Sequence, residues 1–104
     1  MWRCVELATV LRLMGFILFF WSGEVYGGIL EPVHIHVART PHEHSPKLWI
    51  NHDGRVEWAD DYNELTLSEK AKIKNAVMDN YDLIISEWED RFGEVTYNKK
   101  IFGE

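Results

Sequence analysis

Six large side chains recur along the C-terminal half of the chain: Ile73, Val77, Tyr81, Ile84, Trp88 and Phe92, at steps of 4, 4, 3, 4 and 4. An α-helix, turning every 3.6 residues, gathers such a set onto one stripe. Lys72, Asn75, Asp79, Asp82, Ser86 and Glu89 fall away from that stripe and suit solvent. Thr66 and Glu69 have the spacing of a capping box, which satisfies the first free N–H groups of a helix. Gly93 stands where a left-handed C-terminal cap belongs. The helix is therefore expected over residues 67–92.

Upstream of residue 66 the period drops from 3.6 to 2. Val33–Arg39 (VHIHVAR) alternates strictly, with Val33, Ile35 and Val37 on one face and His34, His36 and Ala38 on the other. Thr9–Met14 and Phe16–Trp21 read as two more strands around a turn at Gly15, with Phe16, Leu18 and Phe20 pointing one way and Ile17, Phe19 and Trp21 the other. The second of these, FILFFW, is apolar on both faces and suits a central position. Lys47–Asn51 and Arg55–Ala59 flank Asp53-Gly54, a hairpin signal. Ser22–Pro32 and Thr40–Pro46, rich in Gly and Pro, read as loops. The expected fold class is α+β: a small antiparallel β-sheet of about four to five strands packed on one long C-terminal α-helix. It forms a single domain over residues 9–93, with an N-terminal extension at 1–8 and a tail at 94–104 that holds no further helical turn.

Charge and cysteine usage narrow the function classes. The 104 residues carry 11 Lys+Arg against 17 Asp+Glu, a formal net charge of −6. Coating nucleic acid by charge alone requires the opposite balance. The one cysteine, Cys4, cannot form an intrachain disulfide. The apolar stretch Leu13–Trp21 is far shorter than the roughly 20 residues of a membrane span. As the middle of a signal peptide it is interrupted by Gly15, approached through Glu6 and Arg12, and followed by no small-x-small cleavage site. A cytoplasmic chain without a membrane segment is the expectation.

The five histidines are the densest source of chemistry. His34 and His36, two apart on a strand, project from one face with Cα atoms roughly 6.5–7 Å apart. Such a pair can share a divalent metal such as zinc, each ring giving one nitrogen, with His52 as a possible third ligand. Other third ligands in reach of the following loops are His42, His44, Glu43, Asp53 and Glu57. The same pair can act as catalytic acid and base, because imidazole titrates near pH 6.5. A His-x-His on a half-buried strand also arises with no chemistry attached. The basic residues Lys70, Lys72 and Lys74 suit a solvated helix face, and Trp49 and Trp58 suit either the core or a stacking surface.

Four segments together, TVLRLMGFILFFWS, EPVHIHVA, KLWIN…GRVEWAD and the helix ending in SEWEDRFG, resemble a bacterial family of small proteins classed as a domain of unknown function. That family carries a Pro-Pro-His-apolar-His-apolar segment and a closing aromatic on its helix. Pro32, His34, His36 and Val37 match the segment, Val33 replaces its second proline, and Trp88 matches the closing aromatic with Glu87 in place of Asn. The resemblance spans about residues 9–93 and gives nothing to His42 or His44. It implies a component of a toxin–antitoxin-like gene pair, with a small protein partner encoded nearby. RNA would be the substrate only if this chain were the toxin, with His34 and His36 as catalytic residues. A non-enzymatic protein-interaction module and a metal-binding protein using the same histidines are the other classes open at this point.

Overall fold

The computed structural model describes residues 7–21, 25–26, 29–42, 44–60 and 63–103. Cys4, Glu43 and Gly27-Gly28 lie outside the described residues. Among the described residues, seven strands precede three helices: β1 (Leu7–Leu13), β2 (Phe16–Trp21), β3 (Val25–Tyr26), β4 (Ile29–Leu30), β5 (His34–Ala38), β6 (Lys47–Ile50), β7 (Val56–Asp60), α1 (Leu67–Asp79), α2 (Tyr81–Phe92) and α3 (Lys99–Phe102). Five of the strands form an antiparallel sheet in the order β1-β2-β5-β6-β7, and β3 pairs with β4 in a separate two-stranded ladder. The fold class is α+β, as the change of period requires.

Local chemistry explains the two hairpins. Met14 and Gly15 join β1 to β2 with φ of 52° and 82°. Two consecutive positive φ values identify a type I′ turn, whose twist matches that of the flanking strands. The β6–β7 hairpin is built differently. Gly54 N–H donates to the Asn51 carbonyl at 3.0 Å, Asn51 N–H donates to the Arg55 carbonyl at 2.8 Å, and Gly54 has φ of 90°. This is a three-residue loop ending in a left-handed glycine, and the Asp53 carboxylate fastens it by accepting from Arg55 N–H (3.0 Å) and Nε (2.7 Å).

Alternation assigns the faces as the sequence indicates. Phe16, Leu18, Phe20, Val33, Ile35, Val37, Leu48, Ile50 and Val56 are buried together with Ile73, Val77, Ile84 and Trp88 of the helices. The single long helix is corrected to two. Asn80 (φ −108°, ψ 23°) departs from helical geometry, its side-chain Nδ2 donates to the Ala76 carbonyl at 2.8 Å, and α2 starts at Tyr81. The amide competes with the backbone for the carbonyl of the preceding turn, which is why asparagine interrupts helices. The break leaves the apolar stripe on one side, so both helices contribute to the same buried core.

Two loop expectations also change. Residues 25–26 and 29–30 pair with each other inside the segment read as loop. The tail read as lacking a helical turn contains one, α3, capped by Asn98 and ended by Gly103. It packs back on the domain: Val33 N–H donates to the Thr96 carbonyl at 2.8 Å, and Phe102 is buried under the Arg55 guanidinium.

Candidate functional site

The histidine pair lies on the sheet face opposite Ile35 and Val37. β5 sits between β2 and β6, so each imidazole meets neighbours from both sides. His34 is opposite Trp49, and His36 is opposite Phe19 on β2 and Lys47 on β6. The two rings converge, with centroids 5.0 Å apart and edge to face. Both are enclosed, His34 at 0% exposure and His36 at 7%. The projection from one side is as the alternation requires; the enclosure is not visible in it.

Aromatic rings make the walls. His36 stacks on Phe19 at 5.5 Å and meets the edge of Trp21 at 6.4 Å. His34 meets Trp49 at 5.4 Å and Trp88 at 5.2 Å. Trp88 is brought there by the start of the C-terminal segment, since its Nε1–H donates to the Glu94 carbonyl at 3.1 Å. His34 Nδ1 lies 2.8 Å from the Pro32 carbonyl. A carbonyl only accepts, so Nδ1 carries the proton, and in the neutral ring the lone pair falls on Nε2. At the rim, Lys47 Nζ sits 4.3 Å over the Trp49 ring and 3.3 Å from Glu31 Oε1, a cation–π contact and an ion pair in one side chain. Phe19, Trp21, Lys47 and Glu31 were not singled out by the sequence reading as site residues. The β2 alternation already placed Phe19 and Trp21 together, but only the strand order puts that face beside the histidines.

The remaining histidines go elsewhere. His52 lies on the β6–β7 turn with its ring 5.5 Å from Tyr97, and its carbonyl accepts from the Tyr81 hydroxyl at 3.1 Å. His42 Nδ1 accepts from His44 N–H at 3.2 Å, so its Nε2–H faces the Glu64 carboxylate, 3.0 Å away. Asp53 is engaged by Arg55, and Glu57 lies 3.9 Å from Lys74. Among the described residues no three His, Cys, Asp or Glu side chains come together as a metal site. His52 therefore does not join His34 and His36 as a third donor.

No helix among the described residues is long and apolar enough to cross a membrane. Neither a curated protein nor a solved structure matches the chain. A family model described as Domain of unknown function (DUF4160) matches residues 15–89, well over half of the chain, and the chain belongs to that family. The matched stretch contains both His34 and His36 as well as Trp88.

Proposed function

We propose that this member of the DUF4160 family is the protein-binding half of a bacterial two-protein module of toxin–antitoxin type, acting in the cytoplasm without catalysis of its own. The observation that carries this reading is the enclosure of the histidine pair. An acid–base pair that cleaves RNA must bring both rings within about 2.6–3.2 Å of substrate oxygens. His34 is walled by Trp49, Trp88 and His36, and its Nδ1–H is committed to the backbone. The net charge of −6 opposes a polyanionic substrate and favours a basic protein partner. In this reading the imidazoles brace the sheet: they fill the space between β2, β6 and α2 and hold the bend at Pro32. The catalytic alternative for His34 and His36, and the metal alternative with zinc or a related divalent ion, both need more access or more donors than that brace provides. A structural zinc takes four protein ligands.

Co-expression with the product of the neighbouring gene tests this. A one-to-one complex should co-purify, and this chain should relieve any growth arrest that the partner causes. The double variant His34→Asn, His36→Gln keeps a hydrogen-bonding group near the position of Nδ1 but removes both imidazoles. If its melting temperature stays close to that of the parent, complex formation and relief should persist. Growth arrest caused by this chain alone, and abolished in the folded double variant, would overturn the reading in favour of catalysis. One equivalent of zinc retained by untagged protein and lost in the double variant would overturn it in favour of a metal protein.

A further inference from the structure

We propose that the outer edge of β1, with the groove between it and α2, takes up an extended segment of the partner protein in which basic and apolar residues alternate. The inference rests on the two-protein reading above and specifies where and by what chemistry the partner docks.

β1 is seven residues long and, among the described residues, pairs with β2 alone. Its other edge presents a row of N–H and C=O groups to any strand that can align with it. It contains no proline, and Arg12 is its one charged residue, so the usual protections of an edge are sparse. The bulge between Thr9 and Leu11 limits regular pairing to a short segment. Alongside runs a groove of about 580 Å³, with Ala8 and Val10 of β1 on one side, Phe20 of β2, and Glu87, Asp90 and Arg91 of α2 on the other. A strand added to β1 would direct alternate side chains into this groove.

Charge selects the occupant. Neither Glu87 nor Asp90 forms an ion pair among the described residues. Two carboxylates against one guanidinium leave the groove acidic, in a chain whose formal net charge is −6. A second copy of this chain fits poorly. Ala8, Leu11 and Leu13 pair with Phe20, Leu18 and Phe16 and so lie on the groove face, whereas Arg12 pairs with Ile17 on the opposite face. The β1 of a copy would therefore bring hydrocarbon, and no cation, to Glu87 and Asp90. A foreign strand with Lys or Arg at every second position supplies both the backbone pairing and the charge.

The test uses the full chain and a labelled peptide of alternating lysine and valine, about seven residues long to match β1, followed by fluorescence anisotropy. The peptide should bind, and a glutamate–valine peptide should not. The double variant Glu87→Lys, Asp90→Lys lies on an exposed helix face and should fold normally while weakening binding by about tenfold or more. Two further peptides, N-methylated on odd or on even residues, should differ: the set whose methyl groups face β1 should lose binding, and the other should keep it. Absence of binding, equal binding to the charge-reversed variant, or equal binding of both methylated peptides would each overturn the proposal. Self-association in sedimentation that survives charge reversal and blocks the peptide would replace it with pairing between copies. Failure of this proposal is separable from failure of the two-protein reading. If the neighbour-encoded protein co-purifies undiminished with the charge-reversed variant, the docking edge falls and the module stands. If the lysine–valine peptide behaves as expected but no neighbour-encoded protein co-purifies, the edge stands and the module falls.

Discussion

Met14 shows how much one backbone angle costs. It holds φ of 52° with a full side chain, in a turn type that favours Asn or Gly at that position. A left-handed conformation costs an ordinary residue roughly 1–2 kcal/mol. Met14→Asn should therefore stabilise the protein by about 0.5–1 kcal/mol, and Gly15→Ala should destabilise it, both read from urea midpoints at constant m-value. Tyr81 offers a pH-dependent case. Burial, and then contact with the Tyr97 hydroxyl, pushes its phenol up to about 12. The protonated form is the one the fold favours, so the contribution of Tyr81 is fully present below the ordinary phenol value of 10.0 and is lost as pH rises through about 12. Absorbance at the tyrosinate band should show a component that ionises only at high pH, and Tyr81→Phe should remove it.

At the scale of elements, the start of α1 is a closed circuit. Glu69 N–H donates to Thr66 Oγ1 at 3.1 Å, Thr66 N–H donates to the Glu69 carboxylate at 2.9 Å, and Arg39 from the end of β5 donates to the same carboxylate at 3.1 Å. The Thr66 backbone bond, and after it Arg39, holds the Glu69 carboxyl below its ordinary value. The ionised form is favoured, so this contribution is present above the ordinary carboxylate range and disappears as pH falls through the lowered value. Thr66→Ala should cost about 1 kcal/mol. Thermal melts should show part of the acid sensitivity disappearing in Glu69→Gln. The cap was legible in the sequence because its two partners are three residues apart. The break at Asn80 was not, because the apolar stripe runs through it without a change of phase. Asn80 stands three residues after Val77 and four before Ile84, at the stripe's own spacing, and the interruption is marked by its backbone angles and its bond to the Ala76 carbonyl.

For the whole molecule, Trp88 is the joint. It is fully buried, packs against Phe20 of the sheet at 5.2 Å, against His34 at 5.2 Å and Phe92 at 4.4 Å, and anchors the C-terminal segment through Glu94. Trp88→Ala should cost roughly 3–5 kcal/mol and should loosen residues 94–103 as well. Hydrogen exchange at the Val33 amide, which donates to Thr96, would register that loosening. Retained protection there in the variant would show that the C-terminal segment is held independently of the indole.

Repeat period determined what the sequence alone could determine: strands with period 2, helices with period 3.6, the turns at Gly15 and Gly54, and two imidazoles leaving β5 on one side. Each of these depends on residues only a few positions apart, where covalent geometry transmits the information directly. The tertiary structure decided the rest. It placed β2 and β6 on either side of β5, so Phe19, Trp21 and Trp49 close around the histidines, and it carried Trp88 from α2 to the same place. It also left the far edge of β1 beside an acidic groove. These are contacts between residues 15 or more positions apart, made by strand order and helix docking, and no local period encodes which residues will close over the second face of a strand.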